Sequence, residues 1–266
     1  MKLGFIGAGN MARAIINGWL SQGQKAEIYL HSARKASYEP YAKEHGLHAC
    51  ASNTEVVSTA DIIFLAVKPI VLAEVLHEIK TTVQEKKPVI VSMVTGVSIA
   101  EIADLLELTP EDLEIIRIMP NVNAEIAAGM TALNASPAVT ETNFARVKGL
   151  FEMIGQTEIL PEKDFSTFVA LAGSSPAYVY FFIDVMSRAG VKYGLKKEQA
   201  TKIAAQAVLG SAQKVLADQK TPMQLVDDVC SPGGTTIAGL LAMEEAGFMT
   251  AVIKGMDATI NKDQGK

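Results

Sequence analysis

The chain of 266 residues carries 24 Lys and Arg against 29 Asp and Glu, a net charge of −5, with 49% hydrophobic and 20% charged residues. Those proportions belong to a folded globular chain and exclude intrinsic disorder. The only Lys pairs, Lys86-Lys87 and Lys196-Lys197, stand apart, so a nucleic-acid backbone has no basic footprint to bind.

A chain of this length exceeds one compact core, and two units are expected, 1–161 and 162–266. The first run, Leu3-Gly-Phe-Ile6, reads as a strand, followed by the turn Gly7-Ala8-Gly9-Asn10-Met11-Ala12 and a helix. Gly4, Gly7, Gly9, Asn10 and Arg13 break the apolar start, which excludes a secretory signal, and no stretch elsewhere is expected to reach the length of a membrane span. The turn is a GxGxxA. Its glycines allow a tight bend and close approach of backbone to phosphate, Ala12 allows close packing of helix on strand, and the helix N-terminus offers free N–H groups. A bare glycine turn is the alternative. A dinucleotide pyrophosphate is the ligand this pattern predicts, because alternating strands and helices follow it.

The second run, Glu27-Ile-Tyr-Leu30, ends at His31-Ser32-Ala33-Arg34. An acidic residue at this tip binds the ribose 2′-hydroxyl of NADH and repels a 2′-phosphate. None stands here, and Ser32 and Arg34 can donate to a phosphate, so NADPH is the expected cofactor with NADH the alternative. The third run, Ile62-Ile-Phe-Leu-Ala66, leads into Val67-Lys68-Pro69, where Pro69 starts a helix and Lys68 is read either as a surface charge or as a cofactor contact. The fourth, Val89-Ile-Val-Ser92, leads to the Thr95-Gly96 turn, and the fifth is Ile115-Ile-Arg-Ile-Met119. Apolar on both faces, the runs at 62 and 89 are the central strands of a doubly wound parallel sheet.

After Pro161 the strand pattern ends, and Pro176 to Gly194 and Glu198 to Asp218 read as long helices. Tyr178-Val-Tyr-Phe-Phe-Ile-Asp-Val-Met186 is apolar almost all round, which requires burial inside its own unit or against another subunit; both readings are open. Cys50 and Cys230 have neither a CxxC partner nor a His cluster, so no disulfide framework or metal site is expected, and a reducing cytoplasm suits them. In Asp227-Asp-Val-Cys-Ser-Pro-Gly-Gly-Thr-Thr-Ile-Ala-Gly-Leu240, hydroxyl residues flank a Pro-Gly-Gly turn just before a helix. The N–H groups of Gly234, Thr235 and Thr236 are expected to converge into an anion nest that suits a small carboxylate. An ordinary helix cap by Ser231 or Thr235 is the competing reading.

This last motif closely resembles the signature of pyrroline-5-carboxylate reductases. Phe5-Ile-Gly-Ala-Gly-Asn-Met-Ala12, Ala66-Val-Lys-Pro69, Arg117-Ile-Met-Pro-Asn121 and Gly173-Ser-Ser-Pro-Ala-Tyr178 do so too, in the same order along the whole chain. The resemblance implies a Rossmann-type NADP-binding domain followed by an all-α domain that dimerises and helps bind substrate, as a homodimer often assembled into decamers. It implies cofactor contacts at Ile6, Gly7, Ala8, Gly9, Asn10, Met11, Ser32, Arg34, Asn53, Ala66, Val67, Lys68, Pro69, Met93, Thr95 and Gly96. It also implies substrate contacts at Val229, Ser231, Gly233, Gly234, Thr235 and Thr236, with Ser231 and Thr236 catalytic and Thr236 bonded to the ring nitrogen. The implied reaction reduces L-1-pyrroline-5-carboxylate to L-proline. Two departures bear on cofactor-facing loops: Met119-Pro-Asn-Val-Asn-Ala124 replaces the commoner Met-Pro-Asn-Thr-Pro-Ala, and Gly173-Ser-Ser-Pro176 the more usual Gly-Ser-Gly-Pro.

Two rivals compete with this reading. A β-hydroxyacid or ketopantoate-type dehydrogenase would need a Lys in a Gly-rich helical motif, and neither Lys192 nor Lys202 lies in one. A non-catalytic NADPH sensor would share the same glycines, and the intact Ser231 to Thr236 turn argues against it.

Overall fold

Residues 1–266 are described by a computed structural model, and they divide into two compact units, Met1–Ser174 with Ile260–Lys266, and Ser175–Thr259. The first alternates β1 (Lys2–Ile6), α1 (Asn10–Ser21), β2 (Glu27–His31), α2 (Lys35–Glu44), β3 (His48–Ala49) and α3 (Asn53–Thr59). It continues with β4 (Ile62–Leu65), α4 (Pro69–Lys86), β5 (Val89–Ser92), α5 (Ile99–Leu105) and β6 (Ile115–Met119), then β7 (Gly129–Ala135), α6 (Glu141–Glu152) and β8 (Gly155–Ile159). All eight strands form one sheet in the order β3-β2-β1-β4-β5-β6-β7-β8, whose first six strands have the doubly wound order of a dinucleotide fold.

Side chains alternate across a strand, and here each apolar run supplies both faces of the sheet. Leu3, Phe5, Ile62, Phe64, Val89, Val91, Ile116 and Ile118 face one buried cluster with α1 and α6, while Ile6, Ile63, Leu65, Ile90 and Ile115 face a second with α3, α4 and α5. Trp19 is fully buried in the first, edge-on to Phe5 and Phe64, and its indole N–H donates to the Leu150 carbonyl at 2.7 Å.

β7 departs from the expected all-parallel pattern by pairing antiparallel with β6, Met119 opposite Ala132. The connection Pro120 to Ala128, built on a 3₁₀ turn over Val122–Ile126, is too short for a crossover helix, so the chain can only return antiparallel. No strand follows β8, in line with the change of character after Pro161. The compact division lies further on, between Ser174 and Ser175, because α7 (Phe165–Phe168) buries Phe165 and Phe168 against Met119 and Ala132.

The second unit holds α8 (Ser175–Lys192), α9 (Lys197–Ala217), α10 (Pro222–Val229), α11 (Thr235–Glu245) and most of α12 (Phe248–Asp263). α8 and α9 pack closely: a Cβ placed on Gly190 would come within 2.9 Å of the Ala200 side chain. The expectation of no span-length stretch is corrected here. Glu162–Lys192 runs as one helical stretch, mean hydropathy 1.4 over its apolar window, long and apolar enough to cross a membrane. Within it a π-helical turn spans Val169–Gly173, and α8 begins at Ser175.

Candidate functional site

The ends of β1, β2, β4 and β5 lie along one edge of the sheet, where open parallel sheets bind ligands. Gly7 sits at φ +101°, and a Cβ there would lie 2.4 Å from the Ala66 carbonyl oxygen, so only glycine can make this bend. Its N–H donates to the His31 carbonyl at 2.8 Å and ties the loop to the tip of β2. Gly9 occupies the N-cap position of α1 without a capping side chain, and a Cβ on it would meet nothing within 4 Å. The first intrahelical pairing is Arg13 N–H to the Gly9 carbonyl, which leaves the N–H groups of Asn10, Met11 and Ala12 with no acceptor in the helix. No acidic residue stands in that first turn. An uncapped helix start beside an open glycine fits a pyrophosphate, and so the residues present fit a dinucleotide cofactor.

Around this loop the expected contacts are placed unequally. Ser32 and Arg34 lie just after β2, and their side chains make no bond within the chain; Arg34 is exposed at the N-cap of α2. Lys68 is exposed at the N-cap of α4, with Pro69 at the first helical position, and Ala66 and Val67 are half-buried. Met93 is half-buried and Thr95 and Gly96 are exposed beyond β5. Ile6 is 1% exposed with its side chain in the core, and its carbonyl accepts the Ala66 N–H. Asn53 is buried at the start of α3, where its amide donates to Glu78 of α4 at 2.7 Å.

Tyr38 and Tyr41 of α2 flank this region. Tyr38 donates to the Cys50 carbonyl, and burial raises its phenol above the ordinary range. Burial pushes Tyr41 up to about 12 despite the Arg13 guanidinium above its ring. Sequence reasoning missed Arg13, which bonds to Ala8 and Ser37, because one Arg in a helix reads as a solvated charge.

In the second unit, Ser231-Pro232-Gly233-Gly234 forms a closed turn, with the Gly234 N–H donating to the Ser231 carbonyl at 2.9 Å and Gly233 at φ +68°. Pro at the second position and a left-handed glycine at the third make it a type II turn. The nest therefore differs from expectation. Gly234 has already used its N–H, and the first helical pairing is Ala238 N–H to the Gly234 carbonyl, so the free donors are Thr235, Thr236 and Ile237. The competing cap reading fails as well, since no side chain caps α11 and its first turn carries no acid. Ser231, Thr235 and Thr236 are exposed with unpartnered hydroxyls, and Val229 is 64% exposed. No cluster of His, Cys, Asp or Glu could hold a metal.

Two sequence families match. The family described as pyrroline-5-carboxylate reductase dimerisation covers residues 162–266, and the one described as NADP oxidoreductase, coenzyme F420-dependent, covers residues 2–96. The pyrroline-5-carboxylate reductase of Escherichia coli strain K12 is 40% identical over 265 residues, 99% of this chain and 97% of the relative. Among solved structures, 1-pyrroline-5-carboxylate reductase from Streptococcus pyogenes superposes with a TM-score of 0.89 at 38% identity, covering 100% of this chain and 99% of the other. Pyrroline carboxylate reductase from Plasmodium falciparum, solved with NADP bound, gives a TM-score of 0.88 at 29% identity, covering 100% and 97%.

Proposed function

The chain belongs to the pyrroline-5-carboxylate reductase family, and from that premise we propose that its glycine loop anchors NADPH and its Ser231–Ile237 turn receives the substrate carboxylate. The enzyme is an oxidoreductase that reduces L-1-pyrroline-5-carboxylate to L-proline, the last step of proline synthesis. When bound, the nicotinamide supplies the hydride that the imine carbon accepts.

The chain's own groups have mostly positioning to do, since a ring imine protonated on nitrogen is already an electrophile. On the cofactor side, the N–H groups of Asn10, Met11 and Ala12 bind pyrophosphate, and Ser32 and Arg34 take the 2′-phosphate. On the substrate side, the N–H groups of Thr235, Thr236 and Ile237 hold the carboxylate with the Ser231 hydroxyl. The Thr236 hydroxyl oxygen accepts from the protonated ring nitrogen and turns the imine carbon toward the donor.

The observation that carries this reading is the uncapped start of α11 behind a closed type II turn, an anion site with its donors already aligned. The test is Thr236→Ala. Turnover followed by NADPH oxidation is expected to fall about a hundredfold while NADPH affinity is unchanged. Equal turnover of variant and wild type overturns the role of Thr236.

Self-association follows from the second unit, whose helices expose Phe181 (70%), Met223, Leu216 and Met249 in the lone chain. A homodimer is the working unit, a decamer the larger assembly, and the cytoplasm the compartment that suits the unpaired Cys50 and Cys230.

A further inference from the structure

Arg13 sits in the first turn of α1 and takes no part in the reading above. Its Nε donates to the Ala8 carbonyl, in the middle of the glycine loop, at 3.0 Å. Its Nη2 donates to both the carbonyl (2.7 Å) and the hydroxyl (3.0 Å) of Ser37, in the first turn of α2. The guanidinium lies over the Tyr41 ring, 4.6 Å from its centre, and the Tyr41 hydroxyl donates back to Asn17 of α1. One planar, permanently charged group thus joins the loop that meets the pyrophosphate to the helix that follows Ser32 and Arg34.

The two joined segments bind two different phosphates. A cofactor with a 2′-phosphate has a second anchor at a fixed chemical distance from the first, whereas NADH has only the pyrophosphate. A part that fixes the spacing of two anchors matters most to the ligand that uses both. Arg13 grips the loop at its middle, because the carbonyl it holds belongs to Ala8, between Gly7 and Gly9.

We propose that Arg13 is a positioning residue that fixes the distance between the glycine loop and the Ser32–Arg34 segment and thereby sets the preference for the 2′-phosphorylated cofactor. The proposal rests on the assignment of Ser32 and Arg34 to the 2′-phosphate. Arg13 need not touch the cofactor for this. It acts through Ala8 and Ser37.

The experiment compares Arg13→Met, Arg13→Lys and Arg34→Ala in the full-length protein by equilibrium titration with NADPH and, separately, NADH, alongside the melting temperature without ligand. Arg13→Met is expected to weaken NADPH about tenfold, the scale of one lost charge-assisted hydrogen bond, and NADH less than about twofold. Arg13→Lys keeps the charge but cannot span both partners, and is expected to fall between. Saturating turnover is expected to stay within about twofold of wild type in both variants, so the loss appears in KM and not in kcat. Equal weakening of both cofactors, or none in either Arg13 variant, overturns the proposal. If Arg13→Met melts too early to titrate, the ratio in Arg13→Lys decides. Arg34→Ala separates the two layers: if it leaves NADPH binding unchanged, the 2′-phosphate assignment itself has failed, whereas a loss there with unchanged Arg13 variants removes only the inference made here.

Discussion

Trp19 and Phe181 are both large aromatics on helices, yet Trp19 is completely buried and Phe181 is 70% exposed in the single chain. The first unit covers its own apolar surface with helices on both faces of the sheet. In the second, α10, α11 and α12 bury no residue fully, and α8 buries only Pro176 and Ser187. Helices gain stability by burying an apolar face, and here that face has no cover within the unit. The first unit thus covers its apolar surface alone while the second leaves one open, in keeping with the match of residues 162–266 to a family described as pyrroline-5-carboxylate reductase dimerisation.

The contrast breaks hardest at Trp19. It meets Phe5, Phe64 and Phe151 and bonds the Leu150 carbonyl, so it links α1 to α6 over one face of the sheet. Trp19→Ala empties the centre of that cluster and is expected to cost the first unit about 4 kcal/mol. Urea unfolding followed by circular dichroism measures it, and a loss below about 1 kcal/mol would show that the cluster can collapse around the gap. NADPH affinity should fall with it, since α1 begins at the glycine loop.

Phe181→Glu is the counterpart in the second unit. Phe181 is 70% exposed in the single chain, so the change places a charge on the open apolar face of α8. The dimer dissociation constant is expected to rise about a hundredfold, the worth of one interface hot spot at roughly 3 kcal/mol. Light scattering across a dilution series reads it. NADPH binding should survive in the dissociated chain, and unchanged association would mean that another face of the unit pairs.

What was legible in the sequence follows the same division. Strands β1, β2, β4, β5 and β6 announced themselves because residues such as Leu3 and Phe5 face one cluster while Ile6 faces the other, and burial on both sides demands an unbroken apolar run. β8 did not, because Gly155-Gln-Thr-Glu-Ile159 is a largely exposed edge strand, and β3 is only two residues long. The glycine loop was readable since its chemistry lies in backbone shape. The turn before α11 was readable as a turn but not atom by atom: Pro232-Gly233 signals a type II turn, and following that signal would have shown the Gly234 N–H already used. Arg13 was illegible because its three acceptors come from Ala8 and Ser37, brought together only by the packing of α1 against α2.

The smallest expected effect sharpens the comparison through pH. The first unit has carboxyls held low by its own donors, Glu107 by Lys80, Glu101 by Ser98 and Asp112 by Thr109. In the second, α8 and α9 are tied by Asp184, whose carboxylate accepts from Lys197 at 2.5 Å and from Arg188 at 2.6 Å. These donors, Lys197 first and Arg188 second, hold its carboxyl below the ordinary value of 3.8. A carboxyl lowered by folding adds stability that is fully present above its unfolded value and is lost as pH falls through the folded one. The tie should therefore be intact at neutral pH and disappear below 3.8. Asp184→Asn removes this dependence: its melting temperature should lie slightly below wild type at neutral pH and meet it at the acid end. Because the pair is exposed, added salt should narrow the neutral gap. If wild type and variant keep the same separation from neutral to acid pH, Asp184 contributes through shape and not through charge.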